Sequence, residues 1–367
     1  MAHVRLEKVT KKFGSHTALS KLDLEIRNSE FFVLLGPTGA GKTTTLRLIA
    51  GLDSPNSGSI SIDGTDVLNW SAAERDVALV FQYYSLYPHY TVRQNLEFPL
   101  KSNVRHMAQK EIEGRIAKAA KTLRIEHLLE RKTDRLSGGE MQRVSIGRAI
   151  VREPRVFLMD EPLSNLDAKL REILRAELKD LQMKLGATFL YVTHDQVEAM
   201  SMGDKVGVLN HGRIIQVGTP QQIYNQPHDT FVATFVGSPA MNLMKANVAG
   251  GRAVVVPGKL EVPVDGAGGG RAARISGPIT LGVRSEDVIV GANDATVEAR
   301  VHGVENQGVE KVVTLRVDEC LLKATVPARQ ELGIDSSVKF SFKREKLQFF
   351  DAGSGVNLFY GEEGNNG

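Results

Sequence analysis

Phe31-Phe32-Val33-Leu34-Leu35-Gly36-Pro37-Thr38-Gly39-Ala40-Gly41-Lys42-Thr43-Thr44 decides how the rest of the chain is read. Its five leading apolar residues are too few for a helix and suit a buried parallel strand. The glycine-rich turn that follows runs into Lys42-Thr43-Thr44-Thr45-Leu46-Arg47-Leu48-Ile49-Ala50, a helix that Gly51 stops. Gly36 and Gly41 let the backbone turn its N–H groups toward an anion, and the helix start adds a positive dipole end at the same place. The spacing G-x-x-x-x-G-K-[ST] forms a phosphate cradle from Gly36, Pro37, Thr38, Gly39, Ala40, Gly41, Lys42, Thr43 and Thr44. In that pattern Lys42 reaches the β- and γ-phosphates and the Thr43 hydroxyl ligates Mg²⁺.

The chain has 367 residues, which suits two or three domains. Its 42% hydrophobic and 24% charged content is that of an ordinary globular protein with material for a sizeable core. The net charge is only +3, from 46 basic and 43 acidic residues, and the two signs are interleaved. That balance gives no reason to expect a nucleic-acid partner. Cys320 is the one cysteine, so no internal disulfide can form, which suits a reducing compartment. The first residues carry no apolar leader, and no apolar run approaches the ~20 residues needed to cross a bilayer. If the protein serves a membrane, other chains do the spanning.

Around the cradle, residues 4–9 and 22–26 alternate like strands, with a turn expected over 11–19. A strand is expected at 59–62, and a buried one at 76–81 that ends at Gln82. From about 91 to 151 the periodicity is helical, an insertion in an α/β core. A buried strand returns at 156–159 and ends at Asp160-Glu161. Leu170, Ile173, Leu174, Leu178, Leu181 and Leu185 then mark the core face of one helix. Strand 188–193, helix 195–201 and a hairpin of 205–210 with 213–218 follow. This order predicts a mostly parallel sheet with helices on both faces, over a first domain of 1–235. Beyond it, strands at 252–256, 279–283, 297–302, 312–317, 321–326 and 338–342 predict a small all-β barrel or sandwich over 236–367. Glycine-rich 266–270 reads as a flexible loop within it, and 361–367 as a fraying tail.

Further motifs bear on the cradle. Asp160 and Glu161 end an apolar strand, where a sheet of this kind faces its ligand. There Asp160 would hold Mg²⁺, and Glu161 would orient and deprotonate an attacking water. Gln82 could touch both metal and water, and His194, after strand 188–193, could donate to the γ-phosphate. Taken singly, each has a plain structural use: a strand-end cap, a polar terminus, a core-edge histidine. Leu136-Ser137-Gly138-Gly139-Glu140-Met141-Gln142-Arg143-Val144 is a second anion-binding design, with Ser137 as N-cap and two glycines at a helix start. It also fits an ordinary capping turn. One nucleotide does not need two cradles, so the second suits a nucleotide held elsewhere.

Taken in order, these stretches resemble the ATP-binding cassette (ABC) ATPase family. The matches are 36–43 (Walker A), Gln82 (Q-loop), Leu136-Ser137-Gly138-Gly139-Glu140 (signature), 156–161 (Walker B), Ser164-Asn165-Leu166-Asp167 (D-loop) and His194 (H-loop). The resemblance implies ATP and Mg²⁺ as ligands, Glu161 as general base, and Phe13 stacked on adenine. It also implies two cassettes paired head to tail, most simply as a homodimer. Ser137, Gly138 and Gly139 would then act on the partner's nucleotide, and Asp167 would cross the interface. One departure stands out: Glu140 occupies a place where the family most often has Gln. The backbone donors and Ser137 are intact, so activity is expected to survive, and the added charge bears on nucleotide affinity.

Ser85-Leu86-Tyr87-Pro88-His89-Tyr90-Thr91-Val92 and Thr193-His194-Asp195-Gln196-Val197-Glu198-Ala199-Met200 are similar to importer ATPases for sugars of the maltose and glycerol-phosphate type. Gly237-Ser238-Pro239-Ala240-Met241-Asn242 and Gly282-Val283-Arg284-Ser285-Glu286-Asp287 resemble that group's OB-like C-terminal extension. This resemblance implies an ATPase on the cytoplasmic face of a bacterial inner membrane. Two membrane-spanning permease subunits would dock near 83–92, and a periplasmic or surface solute-binding protein would act indirectly. The 91–151 segment would be the family's helical subdomain. A competing expectation is an importer ATPase for polyamine, iron or an oxyanion. A third is a nucleic-acid-associated ABC protein, disfavoured because Phe340, Phe342, Phe349 and Phe350 read as core positions and the chain has no basic bias.

Overall fold

The computed structural model describes residues 2–101, 107–258, 260–264, 270, 272, 274–291 and 297–361. Residues 266–269 of the glycine-rich loop and 362–367 of the tail lie outside them. The chain divides into two compact units, Met1–Pro220 and Gln221–Gly367. The division falls earlier than the boundary at 235. The reason is local: Ala233 is buried in one small cluster with Met241 and Phe350, so the helix carrying it belongs with the β unit.

The first unit opens with the hairpin β1 (Val4–Phe13) and β2 (His16–Ile26). The turn expected over 11–19 shrinks to Gly14 and Ser15. Register shifts after Leu6, Val9 and Lys11 break the alternation there, so strand reads as turn. β3 (Phe31–Leu35) is buried at every position and leads through the glycine turn to α1 (Lys42–Ala50), which Gly51 closes at φ 73°. β4 (Ser57–Ile62) and β5 (Thr65–Asp66) complete an antiparallel sheet in the order β2-β1-β4-β5. β6 (Val77–Val80) is shorter than expected, because Asp76 takes φ 49° and Phe81 is 42% exposed.

Helices α2 (Val92–Glu97), α3 (Gln109–Leu123) and α4 (Gly138–Ile150) occupy the next stretch. Then come β7 (Val156–Asp160), α5 (Ala168–Leu185), β8 (Thr188–Thr193) and α6 (Gln196–Met202). The hairpin β9 (Lys205–Asn210) and β10 (Arg213–Gly218) ends the unit. The second sheet runs β10-β9-β3-β8-β7-β6, parallel from β9 to β6, with β10 antiparallel at its edge. The carboxyl ends of β3, β7 and β8 therefore lie side by side, which sets Gly36, Asp160 and His194 close together. On α5 the buried face is Leu174, Leu178 and Leu181; Ile173 is 45% exposed, so it lies off the face assigned from sequence. Buried Arg75 donates from Nη1 to Leu48 O (2.6 Å) and Ile49 O (3.1 Å), satisfying carbonyls at the end of α1.

The second unit carries α7 (Pro220–Asn225), which starts at the division, and α8 (Thr230–Phe235). Its strands are β11 (Asn242–Ala249), β12 (Arg252–Val255), β13 (Glu261–Pro263), β14 (Gly277–Val283) and β15 (Val288–Val290). They continue with β16 (Val297–Asn306), β17 (Glu310–Val317), β18 (Cys320–Pro327), β19 (Ser337–Phe342) and β20 (Gln348–Asp351). Two five-stranded antiparallel sheets, β13-β12-β11-β14-β20 and β15-β19-β16-β17-β18, share one apolar core that includes Leu281, Val301, Leu315, Phe340 and Phe349. This is the all-β, OB-like class expected. β11, β13, β15 and β20 were not expected from sequence. β11 is rich in Asn and Lys, which strands disfavour, and the other three are too short to show a period.

Candidate active site

The glycine turn after β3 is shaped by close backbone approach. A methyl group on Gly36 would collide with the Leu209 carbonyl oxygen, and one on Gly41 would meet Ala18 O at 2.7 Å. Gly41 also takes φ 108°, a conformation open to glycine alone in practice. It is the N-cap of α1 and offers no side-chain bond, so the first-turn N–H groups of that helix face outward without a protein cap. An uncapped helix start of this kind suits an anion. Lys42 is 5% exposed, and its Nζ donates to Gly36 O (2.9 Å) and Pro37 O (3.1 Å) across the turn.

The neighbouring strand ends converge on this turn. Thr43 Oγ1 donates to Asp160 Oδ1 at 3.1 Å. Burial pushes the Asp160 carboxyl above the usual carboxylate range, opposed by the bond from Thr43. Glu161 takes φ 44°, a left-handed conformation that costs a non-glycine residue about 1–2 kcal/mol. That turn points one of its oxygens at Lys42 Nζ (3.4 Å) and the other at His194 Nδ1 (2.8 Å). Gln82 Nε2 donates to Ser164 Oγ at 3.3 Å, and Ser164 Oγ donates to Glu161 O at 2.9 Å. Asn165 Nδ2 donates back to Gln82 O at 3.0 Å. Lys42, Thr43, Gln82, Asp160, Glu161 and His194 thus form one linked group, although they come from four separate stretches of chain.

The remaining candidates stand apart from that group. Ser137 caps α4 and Gly139 is buried; a methyl on Gly139 would strike Leu170 of α5. Among the described residues, no side-chain hydrogen bond or ion pair joins Ser137 to Lys42, Thr43 or Asp160. Asp167 caps α5, its Oδ1 accepting from Leu170 N at 2.9 Å. Phe13 is half exposed at the end of β1, with Lys11 Nζ 4.8 Å from its ring centre, so it is not a core aromatic.

Sequence reasoning passed over the supports behind the group. Arg171 Nη2 donates to Leu166 O at 3.0 Å, and Arg171 Nη1 lies 3.4 Å from Asp195 Oδ2. Asp195 Oδ1 caps α6 through Val197 N (2.7 Å). Buried Glu198 accepts from Tyr191 OH (3.0 Å) and Thr193 Oγ1 (2.6 Å), which fixes the strand end just before His194. Burial raises the Glu198 carboxyl above its ordinary value. Only Asp195 carried a signal that could have been read, an aspartate at a strand-to-helix junction.

An uncapped helix start bearing a buried lysine, with an acidic pair at the adjoining strand ends, defines a P-loop nucleotide-binding protein. The model of the ABC transporter family matches residues 19–164, that of the MalK OB fold domain residues 237–288, and that of the TOBE domain residues 281–350. The chain is 44% identical to the trehalose/maltose import ATP-binding protein MalK of Thermococcus litoralis, over 98% of this chain and 100% of that protein. It is 47% identical to the sn-glycerol-3-phosphate import ATP-binding protein UgpC of Brucella abortus (96% and 98%), and 41% identical to the trehalose import ATP-binding protein SugC of Mycobacterium tuberculosis (98% of each). A dimeric ATP-binding cassette solved in a post-hydrolysis state with ADP and Pi superposes with a TM-score of 0.53 at 33% identity, over 59% of this chain and 98% of that one. The chain belongs to the ABC transporter family, as an ATP-binding, ATP-hydrolysing member with a C-terminal OB/TOBE extension.

Proposed function

We propose that this chain drives the uptake of a sugar or related polyol through a membrane permease, working as one of two paired cassettes. Near full-length similarity to import ATP-binding proteins for trehalose, maltose and glycerol phosphate supports the solute class. The observation that carries the ATPase half is the linked group of Lys42, Thr43, Asp160, Glu161 and His194 around an open helix start.

On this reading the first-turn N–H groups of α1 and Lys42 hold the β- and γ-phosphates. Lys42 exchanges its bonds to Gly36 O and Pro37 O for phosphate oxygens. Thr43 and Asp160, with Gln82, suit Mg²⁺: they are hard oxygen donors, and the first two already stand 3.1 Å apart. The cation would neutralise phosphate charge, and it would stabilise the Asp160 anion that burial disfavours. Glu161 takes the proton of the attacking water, and His194 donates to the γ-phosphate once its bond to Glu161 opens. Phe13 stacks on the base. Ser137, Gly138 and Gly139 close the site from the second cassette, and Asp167 reaches across the same interface. Docking of the permease pair near residues 83–92 places the protein at the cytoplasmic face of the membrane. No helix among the described residues is long and apolar enough to cross one.

Glu161→Gln tests the chemistry. It should bind ATP normally and release phosphate at least ~100-fold more slowly; wild-type turnover by this variant removes Glu161 as the base. A deletion strain grown on single carbon sources tests the solute. Lost growth on one sugar or polyol supports the assignment, and undiminished growth on all of them, with a defect on a metal or sulfur source, replaces it.

A further inference from the structure

The signature turn is already occupied by one of its own side chains. Ser137 Oγ donates to Glu140 Oε2 at 2.9 Å, and the Ser137 N–H donates to the same oxygen at 2.7 Å. The Glu140 N–H reaches back to Ser137 Oγ at 3.4 Å, completing a capping box. The bond from the Ser137 N–H holds the Glu140 carboxyl below the usual carboxylate range, and Arg131 Nη1 stands 3.7 Å from its other oxygen. Glu140 is therefore an anion at neutral pH, folded over the first turn of α4. A hydroxyl has one proton to give. A phosphate arriving at Ser137 must draw the hydroxyl's one hydrogen bond away from the carboxylate and must share the positive end of the helix with it.

We propose that Glu140 is a positioning residue that acts as an affinity brake: it competes with the γ-phosphate for the Ser137 hydroxyl and raises the ATP concentration needed for turnover. This rests on the reading that Ser137 meets a nucleotide held by a second cassette. Glutamine at this position keeps the capping box, since its amide oxygen can accept from the Ser137 N–H and hydroxyl as Glu140 does, but a neutral oxygen holds that hydroxyl more weakly and brings no charge to the helix start. The brake is thus separable from the cap.

The test is steady-state phosphate release against ATP concentration for the full-length chain, wild type beside Glu140→Gln and Ser137→Ala. Glu140→Gln should lower KM about fivefold, the size of effect of one charge at a helix start, with a smaller change in kcat. The KM gap between the two proteins should narrow as KCl is raised, because the competition is electrostatic. A cap role alone, which glutamine preserves, would leave KM in place. An unchanged or higher KM in Glu140→Gln, with turnover lost in Ser137→Ala, overturns the brake and leaves the cross-subunit site standing. Full turnover in Ser137→Ala removes both.

Discussion

α1 and α4 both begin at glycine-containing turns, and they treat their first turn in opposite ways. α1 starts at Gly41 with no side-chain cap, and its lysine is folded back on the carbonyls of the turn. α4 starts at Ser137 with a complete capping box, its hydroxyl bonded to Glu140. One helix start is held open by backbone shape alone. The other is satisfied from within and must exchange a partner before it can take a ligand. On the function proposed above, the open start would bind first, and the self-satisfied start would bind only when something better arrives, which is what a second, conditional contact requires.

Gly41→Ala should break the comparison most severely. The added methyl meets Ala18 O and Leu19 Cδ2 at 2.7 Å, on a backbone with φ 108°. ATP binding should be lost in calorimetry or with a fluorescent analogue; retained affinity would show that the open start is not the site. Ser137→Ala comes next. It should keep nucleotide binding and lose roughly 100-fold in kcat, the usual cost of one donor to a reacting oxygen. Gly139→Ala probes packing, because its methyl drives Leu170 out of place. A loss of about 1–3 kcal/mol is expected by denaturant unfolding, and no loss would show that Leu170 has room to move.

The smallest effect lies in the acid limb of stability. The Glu140 pKa is lowered on folding, so its contribution is present above the ordinary glutamate value and is lost as pH falls through the lowered one. Glu198 has the opposite shift, raised by burial. Its contribution is present below the ordinary value and is lost as pH rises through the raised one. Melting curves of Glu140→Gln and Glu198→Gln should therefore change slope in opposite directions between acid and neutral pH. Parallel changes would refute the assignment.

The members of the linked group were legible because phosphate chemistry ties residue type to local spacing: Gly41-Lys42-Thr43 at a helix start, Asp160-Glu161 at a strand end. Their contacts were not. The bond of Glu161 to His194 depends on a left-handed backbone at Glu161, which no local pattern announces. Arg171 reads as one more charge on an amphipathic helix until the fold sets it beside Leu166 O and Asp195. In the second unit, three- and four-residue strands such as β13, β15 and β20 are made by their neighbours, not by their own periodicity. The division at 220 was hidden for the same reason: the burial of Ala233 depends on Met241 and Phe350, the latter far along the chain.

Glu161 has both carboxylate oxygens spoken for, one by Lys42 and one by His194. On the mechanism proposed above, the base is locked while it rests and becomes available only when lysine and histidine turn to the phosphate. On that proposal the resting cassette carries its own safety catch: the arrival of phosphate at Lys42 and His194 is what frees the carboxylate, so the base is exposed only when there is something to cleave.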